Sequence, residues 1–259
     1  MSEKLKTVVV IPCRMGSSRF KGKPLYPILG LPMIEHVRRR ALLAENVDDV
    51  IVATCDKEIF ESIESFGGNV VMTSKDHERC TDRVEEAISK VDCDIVVNLQ
   101  GDEPLITPGI LEDLIQPLLE RPELEATNIV HAIKNPKELE SPHVVKVVLS
   151  NTAKIIYLSR SVIPGCMSDI SIEFYKQTGI MGFRKEFLRK FTHEFEPGPL
   201  EKRESVDMVR IMENDGQLQG VITEQETRGV DLLSHISEVE EIINTDPLQK
   251  ELHDKIVQK

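Results

Sequence analysis

The chain has 259 residues, of which 40% are hydrophobic and 29% are charged, a balance typical of a folded globular protein. Its formal net charge of −12 argues against a nucleic-acid partner, because neutralising phosphates along a strand needs a basic face. No apolar run approaches the ~20 residues of a membrane-spanning helix, and the first residues lack a signal-peptide core, so we expect no membrane association and a cytoplasmic location.

Strands and helices alternate through the first half of the chain. Apolar runs predict buried strands over 7–12, 49–54, 69–73 and 94–99. Apolar residues at helical spacing predict helices over 33–43, 58–66, 82–91 and 108–119. Gly67 and Gly68 are a stop signal for the second helix, Asp82 with Glu85 resembles a capping box, and His36 is predicted to be a packed residue. This alternation predicts an α/β fold with a doubly wound, mainly parallel sheet.

The second half of the chain is richer in strand patterns. Runs over 144–150 and 154–158 predict a hairpin, and 175–183 and 220–226 are further strand candidates. We predict helices over 205–213 and from 238 to 244. No segment reads as a linker, so we expect one domain over 1–259, with roughly 140–195 as a small added β-rich lobe. Such a lobe covers a binding site or forms a dimer face, and the sequence leaves both roles open.

A basic loop follows the first predicted strand. Residues 12–24 contain two glycines, two serines, two arginines and two lysines. Glycine allows backbone N–H groups to approach an anion, and serine, arginine and lysine donate to phosphate oxygens. The spacing R-x-G-S-S-R-x-x-G-K-P differs from the P-loop and from the dinucleotide fingerprint. The loop therefore predicts a polyphosphate site of another kind.

Two acidic motifs follow later strands. Gln100, Gly101, Asp102, Glu103 and Pro104 come directly after the fourth predicted strand. Mg²⁺ prefers a few carboxylates together with phosphate oxygens, so Asp102 beside the basic loop is a candidate ligand. Gly229-Val230-Asp231 is weaker alone, but Asp231 could close the metal site from the other side.

Together these segments resemble the 3-deoxy-manno-octulosonate (Kdo) cytidylyltransferase family. The matching stretches are 9–25, 31–37, 49–54, 70–73, 81–83, 97–105, 145–148, 157–164, 199–201 and 229–231. The resemblance implies a nucleotide-diphospho-sugar transferase-like fold and a homodimer that acts in lipopolysaccharide biosynthesis. It implies a CTP-dependent nucleotidyltransferase that transfers CMP to the anomeric hydroxyl of an acidic sugar and releases pyrophosphate.

The resemblance also implies roles for individual residues. Arg14, Arg19 and Lys23 would act in catalysis by holding the CTP phosphates. The backbone at Pro12, Cys13 and Arg14 would read cytosine. Asp102 and Asp231 would bind Mg²⁺, and Gln100 would contact the acceptor sugar.

The chain departs from the family pattern where the acceptor is expected. Arg79 and Cys80 stand in place of Ser-Gly, and whether they contact the nucleotide or the acceptor is open. Gln177 and Met181 replace a His and a Tyr, and Asp207 lies in a third altered motif. His143, which precedes a predicted strand, is another candidate for the sugar pocket. Arg79 either binds an extra anionic group or points to solvent.

These departures leave the acceptor open between Kdo, a different ulosonate and a phosphonate. A non-catalytic nucleotide-binding homologue is an alternative, against which the presence of Asp102 and Asp231 argues. A kinase-like phosphotransferase is a second alternative, and such an enzyme would release a nucleoside diphosphate instead of pyrophosphate.

Overall fold

The computed structural model describes residues 4–16, 20–165, 172–225 and 227–258. The strands of these ranges are β1 Thr7–Cys13, β2 Pro27–Ile28, β3 Leu31–Pro32, β4 Asp49–Thr54, β5 Asn69–Met72, β6 Ile95–Asn98, β7 Ala126–Ala132, β8 Lys146–Leu149, β9 Ile155–Ser159, β10 Tyr175–Arg184 and β11 Leu218–Ile222. The helices are α1 Met33–Ala41, α2 Lys57–Ser65, α3 Cys80–Ile88, α4 Pro108–Glu120, α5 Pro136–Glu140, α6 Lys185–His193, α7 Pro199–Glu204, α8 Val209–Glu213, α9 Ser234–Thr245 and α10 Pro247–Val257.

The chain divides into two compact units. The first comprises Met1–Glu112 together with Thr227–Lys259, and the second comprises Asp113–Glu226. The lobe that we predict over roughly 140–195 lies within the second unit, and its role in sugar binding or dimerisation stays a prediction. Within the described ranges, no helix combines the length and apolar character that crossing a membrane demands.

The first unit is built on four parallel strands in the order β6-β1-β4-β5. The central strand β1 is buried along its whole length, which explains its unbroken apolar run. The chain adds β4 and β5 on one side of β1 and then returns to place β6 on the other side. This reversal opens a crevice at the carboxyl ends of β1 and β6, the usual ligand position in doubly wound sheets.

The helix boundaries of the first unit test two local predictions. Gly67 adopts a φ of 68° after α2, and the N–H groups of Gly67 and Gly68 donate to the carbonyls of Glu64 and Ile63. The predicted glycine stop is therefore confirmed. The capping box is wrong, because α3 begins at Cys80 and its N-cap is Arg79, which makes no side-chain capping bond. Asp82 lies instead inside the first helical turn.

The packed role of His36 is confirmed. The side chain lies on α1 and is fully buried. Its Nε2 is 2.8 Å from the carbonyl oxygen of Ile28, and its ring stacks on that of His253 with 5.4 Å between centroids. Burial lowers the pKa of His36 to about 4, so the ring is neutral at pH 7.

The second unit contains mostly antiparallel pairs. Strand β10 pairs with β7 and β8, β8 pairs with β9 as the predicted hairpin, and β11 runs parallel to β7. The helix predicted over 205–213 is wrong as one element. Two short helices stand there instead of one. Helix α7 ends at Glu204, Ser205 breaks the helical path with a left-handed φ of 52°, and α8 begins only at Val209.

Candidate active site

A cavity of about 300 Å³ opens in the first unit at the carboxyl ends of β1 and β6. Its lining comes from the chain after β1, the loop before α3 and the turn after β6. The lining residues are Pro12, Cys13, Arg14, Gly16, Lys23, Pro24, His77, Glu78, Arg79, Cys80, Arg83, Gln100, Gly101 and Asp102. The cavity thus brings together eight of the residues to which the sequence analysis gives a role.

The first wall is the chain that leaves β1. Pro12 and Cys13 end the strand and are buried, whereas Arg14 follows them at the surface. The Met15 N–H donates to Asp56 Oδ2 over 2.7 Å, which fixes the start of the loop. Burial raises the pKa of the Cys13 thiol far above its usual range, so Cys13 is a packed neutral thiol at pH 7.

Lys23 ties this loop to two distant segments. Gly22 turns the chain with a φ of 75°, and a short 3-10 helix, Lys23–Leu25, begins directly after it. The Lys23 Nζ donates to Asp102 Oδ2 over 2.6 Å and to the Val230 carbonyl oxygen over 2.8 Å. A cation is thereby held at the mouth of the crevice. Arg19 lies outside the described residues, and its role stays a prediction.

Two further carboxyl groups, those of Glu103 and Asp231, lie near the pair of Lys23 and Asp102. The Val230 N–H donates to the Asp102 carbonyl oxygen over 2.8 Å, which brings Asp231 to the turn after β6. Gly229 permits this approach, since a Cβ there would lie 3.2 Å from Glu103 Oε1. Burial raises the pKa of Glu103 to about 8, and the charges of Asp102 and Asp231 add to the rise while Lys23 opposes it. Glu103 is therefore mainly uncharged at pH 7.

The acidic residues beside Lys23 have the donor chemistry of a magnesium site. Asp102 and Asp231 offer carboxylate oxygens, the ligands that Mg²⁺ prefers. Among the described residues, no group of three or more His, Cys, Asp or Glu side chains is arranged to hold a metal ion. Two carboxylates would leave the other ligand positions of such an ion to phosphate and water.

The opposite wall is the loop before α3. Glu86 holds this loop, because its Oε2 accepts from the Ser74 N–H over 2.9 Å and bonds His77 Nε2. Arg79 is half-buried and Cys80 is exposed. The Cys80 Sγ lies 3.8 Å from Gln100 Oε1, so this wall contacts the turn after β6.

The comparison with known proteins decides the family. Residues 8–228 match the family model described as Cytidylyltransferase. The chain belongs to the cytidylyltransferase family. This match and the relatives described next confirm the resemblance drawn from the sequence motifs, and a similar solved structure confirms the predicted fold class.

Relatives of this cytidylyltransferase carry two different acceptor names. A 3-deoxy-manno-octulosonate cytidylyltransferase of Syntrophus aciditrophicus is 39% identical over 242 residues, 92% of this chain and 97% of that protein. An 8-amino-3,8-dideoxy-manno-octulosonate cytidylyltransferase of Shewanella frigidimarina is 40% identical over 240 residues, 91% of this chain and 98% of that protein. A solved structure of CMP:2-keto-3-deoxy-manno-octonic acid synthetase complexed with CTP has a TM-score of 0.88 and 37% identity, covering 93% of this chain and 99% of that one.

The remaining candidates of this cytidylyltransferase belong to the second unit. Gln177 and Met181 lie on β10 and flank an irregularity in its pairing with β7. Met181 is buried, Gln177 is half-buried, and His143 is exposed before β8. Asp207 lies in the turn before α8, where its Oδ1 accepts from the Met208 N–H over 3.1 Å. Their contacts with an acceptor stay predictions.

Sequence reasoning gives no individual role to Glu103, His77 or Arg83. Glu103 and Arg83 directly follow Asp102 and Asp82, which it does single out, and His77 lies two residues before Arg79. Their places depend on partners elsewhere: Arg83 Nη1 donates to Thr73 Oγ1 and to the Ser74 carbonyl oxygen.

Proposed function

We propose that the protein transfers CMP from CTP to the anomeric hydroxyl of an acidic 3-deoxy sugar, Kdo or a close analogue, and releases pyrophosphate. The observation that carries the proposal is the meeting of Arg14 and Lys23 with Asp102 at the crevice of the first unit. Basic groups suit a triphosphate and a carboxylate suits its metal ion, and the family membership supplies the reaction class.

In the proposed reaction, the sugar oxygen forms a bond to the α-phosphorus while the bond to the β-phosphate oxygen breaks. Pyrophosphate leaves with that electron pair, and the hydroxyl proton passes to water. Arg14 and Lys23 neutralise the triphosphate, and the backbone at Pro12 and Cys13 faces the base. Gln100 contacts the acceptor. Catalysis of this kind is mostly positioning and charge stabilisation.

Asp102 and Asp231 are the residues that would hold Mg²⁺. When bound, the ion would supply charge neutralisation at the reacting phosphate. Lys23 already neutralises Asp102 in the structure, over 2.6 Å. This contact supports the proposal that carboxylate and cation act at one place.

An amino-substituted octulosonate is the second candidate acceptor. The relative from Shewanella frigidimarina is named for such a sugar, and it is as similar to this chain as the relative named for Kdo. The degree of identity therefore does not separate the two acceptors.

The decisive experiment incubates the protein with CTP, Mg²⁺ and one acid at a time. The panel contains Kdo, 8-amino-3,8-dideoxy-manno-octulosonate, other ulosonates and phosphonates. We expect a CMP conjugate by mass spectrometry and one pyrophosphate per conjugate. CTP binding without any conjugate would indicate a non-catalytic homologue. Release of CDP would indicate a phosphotransferase.

We also propose a cytoplasmic homodimer that acts in lipopolysaccharide biosynthesis. Ile156 and Val162 are exposed apolar side chains within the predicted lobe, and a dimer face there would cover them. Light scattering coupled to size exclusion tests this, and a strictly monomeric protein at micromolar concentration contradicts it.

A further inference from the structure

Cationic side chains outnumber carboxylates in the lining of the cavity. Its charged lining consists of four cationic side chains and two carboxylates, namely Arg14, Lys23, Arg79, Arg83, Glu78 and Asp102. This local excess of cations stands against a net charge of −12 for the whole chain. The lining of the cavity therefore suits anionic ligands.

Two of the four cations already have partners within the protein. Lys23 is paired with Asp102 over 2.6 Å and is only 14% exposed. Arg83 donates to Thr73 Oγ1 and to the Ser74 carbonyl oxygen, so its guanidinium braces the loop before α3. These two side chains are fixed in position before any ligand arrives.

Arg14 and Arg79 remain available to ligands. Across the described ranges of the chain, neither side chain makes a hydrogen bond or an ion pair. Arg79 is half-buried, and its five guanidinium N–H donors have no acceptor among the described residues. An anionic ligand in the cavity would supply those acceptors.

The two arginines come from different walls. Arg14 follows β1 on the loop that carries Lys23, the loop that the proposed function gives to the triphosphate. Arg79 precedes α3, and its neighbour Cys80 lies 3.8 Å from Gln100 Oε1. Gln100 is the residue that the proposed function gives to the acceptor.

We propose that Arg79 binds the acidic group of the acceptor and thereby strengthens this chain's preference for an acid. The inference rests on the proposed function and names a residue of this chain that contacts the acceptor. A guanidinium presents paired donors that match a carboxylate or a phosphonate. Arg14 and Lys23 then bind the phosphates of the nucleotide, and Arg79 binds the acidic group of the acceptor.

The experiment compares Kdo with its methyl ester, which removes the acceptor's negative charge and keeps its ring. Parent, Arg79→Ala and Arg79→Lys are assayed with saturating CTP, and CTP binding is measured by calorimetry without acceptor. Lys75→Ala is the matched control, because Lys75 is an exposed cation on the same loop outside the cavity. Phosphonoacetate replaces Kdo in a parallel series, and the acid that the parent uses identifies the source of the anion.

We expect Arg79→Ala to raise the KM for the acid at least tenfold and to leave CTP affinity within about twofold. The preference for the acid over its ester should fall at least tenfold in Arg79→Ala, recover partly in Arg79→Lys and stay unchanged in Lys75→Ala. Thermal unfolding of each variant checks that the fold is kept.

A loss of CTP affinity with an unchanged KM for the acid overturns the inference and makes Arg79 a nucleotide residue. An unchanged preference for the acid over the ester also overturns it. A failure of the proposed function is distinguishable, because it shows in the parent as the absence of any CMP conjugate. A failure of the role of Arg79 shows only between parent and variants.

Discussion

Replacing Asp102 with asparagine removes one negative charge from the crevice and keeps the size of the side chain. Asp102 bonds Lys23 over 2.6 Å, but 31% of its side chain is exposed. Water screens such a pair, so its loss should lower the free energy of unfolding by at most about 1 kcal/mol. Turnover should respond more strongly, since one of two carboxylates proposed for Mg²⁺ is lost. We expect a fall of roughly a hundredfold or more, on the order of 3 kcal/mol in the barrier.

The assay follows pyrophosphate release with CTP and the accepted acid over a range of Mg²⁺ concentrations. Asp92→Asn serves as the control, because Asp92 is an exposed carboxylate on the loop before β6 and does not line the cavity. Thermal unfolding separates a damaged fold from a damaged site. An Asp102→Asn variant that keeps near-parent turnover and the parent's Mg²⁺ dependence would refute the metal assignment.

Three further predictions concern the phosphate loop, the core and the acceptor pocket. Lys23→Ala should weaken CTP binding by roughly 1.5–3 kcal/mol, because a charge-assisted donor is lost, and parental values of both CTP affinity and turnover would contradict the role of this loop. The pKa of His36 is about 4 in the folded protein and about 6.5 when unfolded, so the unfolded chain takes up its proton first as the pH falls. The free energy of unfolding should therefore fall by ~3 kcal/mol from this group as the pH is lowered from 6.5 to 4. Denaturant titrations should give different slopes of this free energy against pH for the parent and for His36→Gln. Equal slopes would exclude the effect. Gln177→His combined with Met181→Tyr should raise kcat/KM for Kdo. The opposite result would show that Kdo is the ordinary substrate: the parent prefers Kdo to every other acid, and the two changes lower its activity on Kdo.

The first half of the fold could be predicted because its strands are simple. Parallel strands that are buried on both faces are unbroken apolar runs, and β1 and β4 are such strands. Strand β7 is also buried, but Thr127, Asn128 and His131 interrupt its apolar pattern. These side chains bond carbonyl oxygens of other segments, as in the 2.8 Å contact from Asn128 Nδ2 to Ile180. A local pattern does not reveal such partners, so β7 was not predicted.

The sequence likewise predicts only part of the candidate site. The loop after β1 and the turn after β6 could be predicted, since each is a compact motif directly after a strand. The buried carboxyl of Glu103 could not, because its state depends on Asp231, which is far away in the chain. The left-handed Ser205 likewise splits a helical pattern for reasons that lie in its surroundings.

The two bonds of Lys23 also set an order of events during synthesis. Asp102 lies 79 residues after Lys23, whereas Val230 lies 207 residues after it. A ribosome adds roughly 5–20 residues per second, so on the order of ten seconds pass between the emergence of these two partners. In that interval the growing chain has the basic loop and Asp102 but lacks Asp231. The nucleotide crevice is therefore completed only after the whole second unit has been made.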